Sequence, residues 1–202
     1  HEHPVNLITK GNLISRDIDL LARLASRRLC SVAISLPTMD DALKRIMEPR
    51  VPSAESRLRV IRQLSDNGIP VSVLMAPLIP AINDAEIEKV LQAVAGAGAS
   101  HAHYIFLRLP HEVAGLFTEW LQLHFPERAD HVMSLVRQAS GGRDYDNRYG
   151  ARQTGRGAYA DMLGKRFRAA CRRFGLAGER YQQQLDRTRF VPPGQQQLGL
   201  GF

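Results

Sequence analysis

The chain has 202 residues, 44% hydrophobic and 23% charged, enough to bury a real core and ordinary for a globular protein. No apolar run approaches a membrane span, no signal peptide is visible, and the only two cysteines, Cys30 and Cys171, lie far apart in no metal-ligand spacing. This excludes a disulfide scaffold and a cysteine-ligated metal site within the chain, and cysteine usage of this kind is expected of a cytoplasmic protein.

The net charge of +7 is unevenly placed. Residues 1–136 hold 14 Lys/Arg against 15 Asp/Glu, and residues 137–202 hold 13 against 5, so the basic excess belongs to the last third. Such asymmetry suits a nucleic-acid surface, or a basic segment packed on an acidic part of the protein. The chain begins at His1 in the approach to a strand, so truncation is expected.

Four short apolar runs, at 5–10, 31–36, 71–76 and 102–109, read as strands, and each leads through a Pro, Gly or Asp turn into an amphipathic segment. The helix over 17–26 has Ile18, Leu21, Ala22 and Ala25 on one face. Thr38 is the expected cap of a short helix over 38–47, and Ser53 of the next, whose apolar stripe is Leu58, Ile61 and Leu64. Asn67-Gly68 ends that helix. Asn83-Asp-Ala-Glu86 reads as a capping box for a helix over 84–95. Helices at 111–124 and 127–139 follow without strands. Trp120 is assigned to helix packing, and Asp40 and Asp41 to first-turn helix charges. Residues 143–157 form an extended loop, and 158–174 a basic helix with Met162, Phe167 and Ala170 inward. Strand alternating with helix predicts an α/β fold with a parallel sheet.

Ligands of such sheets bind beyond the carboxyl ends of the strands, here Lys10, Ser35, Ala76 and Arg108. Alternation places polar or small residues on one face of every strand: Asn6 with Lys10, Ser31 with Ser35, Ser72 with Ala76, and Tyr104 and Phe106 with Arg108. The opposite face carries Leu7, Val32, Ile34, Val73, Met75, Ile105 and Leu107. Burying Lys10 and Arg108 unpaired is prohibitive, so they meet solvent, counter-charges or an anionic ligand bearing carboxylate or phosphate.

The motifs are familiar in combination. Val5-Asn-Leu-Ile-Thr-Lys-Gly11, Ser35-Leu-Pro-Thr-Met-Asp-Asp41, Glu48-Pro-Arg50, Ala76-Pro-Leu-Ile-Pro80, Asn83-Asp84 and Leu107-Arg-Leu-Pro110 occur in that order. Gly141-Gly-Arg143, Tyr145-Asp146 and Gly155-Arg-Gly157-Ala-Tyr-Ala160 follow. Over nearly the whole chain except the Gln-rich tail, this resembles radical S-adenosylmethionine (radical SAM) proteins of the spore-photoproduct-lyase-like subfamily, often labelled "DNA repair photolyase".

The resemblance implies a partial, six-stranded (β/α) barrel of which this chain supplies the last four βα units. It divides the chain into barrel (1–126), a basic helical and loop extension packed on it (127–180), and a flexible Gln/Pro/Gly-rich tail (181–202). It implies that Lys10 and Ser35 contact the methionine carboxylate, amine or ribose of S-adenosylmethionine, that Ala76 and Pro77 lie along the adenine, and that Arg108 lines the floor. Tyr104, Arg143, Tyr145 and Arg152 become candidates for substrate contact or for a lid over the barrel mouth. The family also uses three cysteines in a C-x3-C-x2-C loop to ligate a 4Fe–4S cluster, whose electron cleaves S-adenosylmethionine to a 5′-deoxyadenosyl radical. No such loop is present, so the cluster and the amino-terminal half of the barrel are expected upstream, and this fragment alone is expected to be inactive.

Two signals stand apart. His101-Ala-His103 puts two imidazoles on one strand face at a chelating spacing, but at the end away from the ligand side, and a structural role is preferred. Arginines interleaved with Tyr145, Tyr149, Tyr159 and Phe167 have the composition of single-stranded nucleic-acid binders, which keeps a non-catalytic nucleic-acid module as the alternative.

Overall fold

A computed structural model describes residues 1–142, 151–176 and 185–190. Strands β1 (Val5–Thr9), β2 (Cys30–Ser35), β3 (Val71–Leu78) and β4 (His101–Phe106) form one parallel sheet in the order β1-β2-β3-β4. Helices α1 (Ile18–Ala25), α2 (Asp41–Met47) with α3 (Ala54–Asp66), α4 (Ile87–Gly96) and α5 (Val113–His124) follow the successive strands. The strand order never reverses, so the sheet winds in one direction as a barrel does, and it is not doubly wound. Helices α6 (Ala129–Ala139), α7 (Ala151–Thr154) and α8 (Gly157–Arg173) complete the described elements. None of the described helices is long and apolar enough to cross a membrane.

The helices cover one face of the sheet. Val32, Ile34, Val73, Met75, Ala102 and Phe106 are at most 2% exposed there and pack with Ile61, Leu64, Val90 and Leu91. Each of the valine, leucine, isoleucine, methionine and phenylalanine side chains among them contributes about 1.5–3 kcal/mol relative to leaving it in water. The other face carries Asn6, Ile8, Ser31, Ala33, Ser72, Leu74, His103 and Ile105, which are half-buried or exposed. Parallel sheets usually have both faces covered, so this open trough is what the interior of a partial barrel leaves.

The faces of β4 are the reverse of the expected ones. Ser72 pairs with His101 and Leu74 with His103, so His101, His103 and Ile105 lie on the trough side. Tyr104 turns inward, 6% exposed, with its ring 4.9 Å from that of Phe167 on α8. Tyr104 is therefore core, which removes it as a substrate or lid candidate. Tyr104 pairs with Met75 in the regular part of the ladder, ahead of the register shift between Met75 and Leu78, so its inward face follows from how β4 is set against β3, which alternation within one strand does not fix.

Helix α3 follows from its caps and its stripe. Ser53 accepts from the Ser56 N–H at 3.3 Å, and Ala54, Arg57, Val60, Ile61 and Leu64 recur at helical spacing on the buried side. Gly68, at φ +69°, and Ile69 donate back to Ser65 and Leu64 and close the last turn. Two expected caps are different. Asp40, not Thr38, caps α2 by accepting from Ala42 and Leu43 N–H. Asn83 makes no cap at all, because its side chain is engaged across the fold.

Helix α8 belongs to the sheet's own core through Ala160, Leu163, Phe167, Ala170 and Cys171, whereas Met162 points outward at 44% exposed, contrary to expectation. Gly164 lets α8 close on β4, since a Cβ there would sit 3.1 Å from the Tyr104 hydroxyl. Tyr159 donates to Asp84, and Arg166 pairs with Glu88. Burial and the neighbouring Asp84 push the Tyr159 phenol up. Helices α5 and α6 make a second core with Ile79 and Leu109, and Trp120 packs there as expected. Of the 181–202 tail, residues 185–190 lie back against the turn before β2, with the Asp186 N–H donating to the Arg28 carbonyl at 2.8 Å.

Candidate functional site

At the carboxyl ends of the strands is an open cleft of about 540 Å³. Its lining contains Lys10, Ser35, Ala76, Pro77 and Arg108, so the fold brings all five expected contact positions to one place. The floor is apolar, formed by Ile8, Leu74, Ile105, Phe106 and Leu107, and among the described residues no carboxylate is in the lining. Apolar floor, two cations and the hydroxyl residues Thr9 and Ser35 suit a ligand with a flat or apolar body and an anionic group. Arg143 and Tyr145 lie outside the described residues, as does the side chain of Arg152.

Lys10 lies just past the end of β1 and its side chain is 49% exposed. Its ammonium lies 2.8 Å from Oε1 of Glu48, at the end of α2. The Glu48 side chain is only 7% exposed and its Oε2 accepts from Arg57 at 2.5 Å. Burial pushes the Glu48 carboxyl up, but the hydrogen bonds and charges of Lys10 and Arg57 outweigh it and hold the group below the ordinary glutamate range. Arg57 itself is 2% exposed; it donates through Nε to the Pro52 carbonyl at 3.0 Å and through NH1 to the Ser35 carbonyl at 2.7 Å. One buried guanidinium thus fixes the end of β2, the loop before α3 and the partner of Lys10.

The Ser35 hydroxyl, 4% exposed, donates to the Ala76 carbonyl at 3.4 Å. The Ala76–Pro77 peptide is cis. Asn83, fully buried, donates to the Pro37 and Pro77 carbonyls at 2.9 Å each and accepts from the Ile79 N–H at 2.7 Å. Thr38 donates to Glu86, and the Met39 N–H donates to the same carboxylate at 2.9 Å. These contacts lace the exits of β2 and β3 together. The residues taken from sequence as a capping box are therefore cross-braces beneath the cleft.

Glu48 and Arg57 were missed as site residues. Arg57 carried a readable signal, because it falls on the same helical stripe as Val60, Ile61 and Leu64, and an inward-facing arginine demands a buried counter-charge. Asn83 and Glu86 gave a signal that pointed to the wrong partner, since their spacing also fits a local cap.

The amino end of the trough is a second cavity, of about 870 Å³, bordered by Asn6, Ser31, Ser72, His101 and His103 and by residues 185–188. The Ser100 hydroxyl and His101 Nδ1 are 2.7 Å apart. Burial, then the charge of His103, pushes the His101 imidazole down. Among the described residues no group of three or more His, Cys, Asp or Glu is placed to hold a metal. Cys30 is buried beneath the sheet with its thiol 3.2 Å from the Leu21 carbonyl, and burial pushes it up; Cys171 is buried as well.

Residues 1–94 match the family model described as "Radical SAM superfamily". An uncharacterized protein of Mycobacterium tuberculosis is 32% identical over 137 residues, covering 67% of this chain and 40% of its own length. An uncharacterized protein of Methanocaldococcus jannaschii is 32% identical over 82 residues, 41% of this chain and 30% of its own. The structure of spore photoproduct lyase complexed with dinucleoside spore photoproduct superposes with a TM-score of 0.61 at 18% identity, covering 87% of this chain and 50% of that one. The chain thus spans about two fifths of the curated relative from Mycobacterium tuberculosis and half of the solved structure.

Proposed function

Starting from a radical SAM protein with the fold of spore photoproduct lyase, we propose that this chain is the carboxyl-terminal part of a radical SAM enzyme and holds S-adenosylmethionine in the cleft at the strand ends. The observation that carries the reading is the composition of that cleft: an apolar floor, Lys10 and Arg108, and no acid among the described residues of the lining. Lys10 and Arg108 would receive the carboxylate, Ser35 the polar edge of the nucleoside, and the Ala76–Pro77 segment its flat face. The bound group would supply radical hydrogen abstraction, and the chain's own residues bind it, orient it and keep its body against apolar side chains.

The 4Fe–4S cluster does not fit this chain. It calls for three clustered cysteines, whereas Cys30 and Cys171 are both buried and distant in sequence. No step is derived through it, and its ligands are proposed to lie in sequence outside these 202 residues, together with the remaining strands of the barrel. The reaction proposed for the whole protein is lyase-like, in a cytoplasmic enzyme.

Calorimetric titration of the full-length protein with S-adenosylhomocysteine tests the cleft. K10M and R108M are each expected to weaken binding about tenfold, as loss of one charge-assisted contact does. Absence of binding by the unaltered protein, or unchanged affinity in both variants, overturns the proposal. A second reading, nucleic-acid binding, is favoured by the basic excess of the last third and by Lys165, Arg168 and Arg172 on the outer face of α8. It predicts binding of a single-stranded oligonucleotide that weakens steeply with salt.

A further inference from the structure

We propose that Glu48 is a positioning residue which pins the Lys10 ammonium at the cleft, so that the cleft presents a fixed cation to the carboxylate end of its ligand. The inference rests on the cofactor reading above and extends it to a residue outside the lining.

Three observations carry it. Lys10 is half exposed and has a long, freely rotating stem, so nothing in its own packing would hold the ammonium at the cleft. Glu48 is nearly buried and cannot follow Lys10 into solvent; the lysine must come to it. Glu48 in turn is held by Arg57, which is anchored by the Pro52 and Ser35 carbonyls. The anchor is thus rigid from the body of α3 outward, and only the last member, Lys10, borders the cleft.

The charges also suit this arrangement. One carboxylate sits between two cations, so the trio keeps a net positive charge. Arg57 is buried and committed to three acceptors, which leaves the surplus charge at Lys10. A ligand carboxylate arriving at the cleft meets a lysine already oriented, and the rotamer freedom that binding would otherwise remove has been lost on folding.

The test uses the full-length protein and two ligands that differ at one end. S-adenosylhomocysteine carries the amino-acid carboxylate, and 5′-methylthioadenosine lacks it. E48Q is expected to weaken S-adenosylhomocysteine about tenfold and to leave 5′-methylthioadenosine within about twofold. E48D, which keeps the charge, restores part of the loss. In the K10M background E48Q is expected to add nothing, because its effect passes through Lys10. Equal weakening of both ligands would mark a merely structural role, and additive losses in the double variant would show that Glu48 acts by another route. Tighter binding of S-adenosylhomocysteine by E48Q would mean that Glu48 competes for Lys10. Each of these three outcomes overturns the proposal.

A readout without ligand separates this claim from the cofactor reading. Reductive methylation of Lys10, followed by mass spectrometry, should proceed faster in E48Q than in the unaltered protein. If the unaltered protein binds neither nucleoside, the cofactor reading falls, and the methylation rates alone decide whether Glu48 pins Lys10; equal rates overturn it.

Discussion

The two ends of the trough are made by the same four strands and differ in how their polar groups are held. At the amino end Asn6, Ser31, Ser72, His101 and His103 border a wide cavity, and the contacts there run between neighbouring strands or neighbouring residues, such as Ser31 to Asn6 and Ser100 to His101. At the carboxyl end Arg57, Asn83 and Glu86 instead tie the loops that leave the strands to one another and to the strand ends, and so hold the rim. A polar lining is therefore a poor guide to a site on its own. The end where buried polar side chains tie separate loops together is the end built to keep a shape, because burying such groups is tolerated only where partners are in place.

Breaking the brace should hurt most at the carboxyl end. R57M strands the Glu48 carboxylate without its buried partner and is expected to lose about 3–5 kcal/mol, read from urea unfolding of the full-length protein. Next comes N83A, which leaves the Pro37 and Pro77 carbonyls and the Ile79 N–H without their partner; about 3 kcal/mol is expected by the same measurement. A loss below about 1 kcal/mol in either variant would show that the rim tolerates loosening and would undo the contrast.

Acid gives a milder probe. The Glu48 carboxyl lies below its ordinary range in the folded protein, so its contribution is fully present above the unfolded value and is lost as pH falls through the folded one. The unaltered protein should therefore lose stability below the usual glutamate range more steeply than E48Q does, in urea midpoints followed downward from neutral pH. Parallel curves would mean that Glu48 does not carry the linkage. The smallest effect belongs to the amino end: S72A removes a hydroxyl whose contact with the Val32 carbonyl is 3.5 Å long, and should change stability by no more than about 0.5 kcal/mol.

Much of the cleft could be read from sequence because strand ends can be read from sequence. Lys10, Ser35, Ala76 and Arg108 each close an apolar run, and parallel strands with intervening helices bring such ends together whatever else the chain does. Tyr104 was misplaced because its face depends on the register that sets it opposite the core residue Met75, a relation between two strands that alternation along one strand does not carry. Asn83 was misjudged for a different reason. A side chain's best partner within four residues is visible in sequence, and a better partner forty residues away is not.

What the sequence determined by itself is the succession of βα units, the helix stripes and the clustering of strand ends, because hydrophobic periodicity and turn residues act locally and repeat. What only the tertiary structure decided is which polar groups meet: that Lys10 has Glu48 as its partner, that Asn83 laces two loops instead of capping a helix, and that Tyr104 belongs to the core. Those outcomes depend on competition between local and distant partners for the same buried hydrogen bonds, and that competition is settled only once the strands have set the distances.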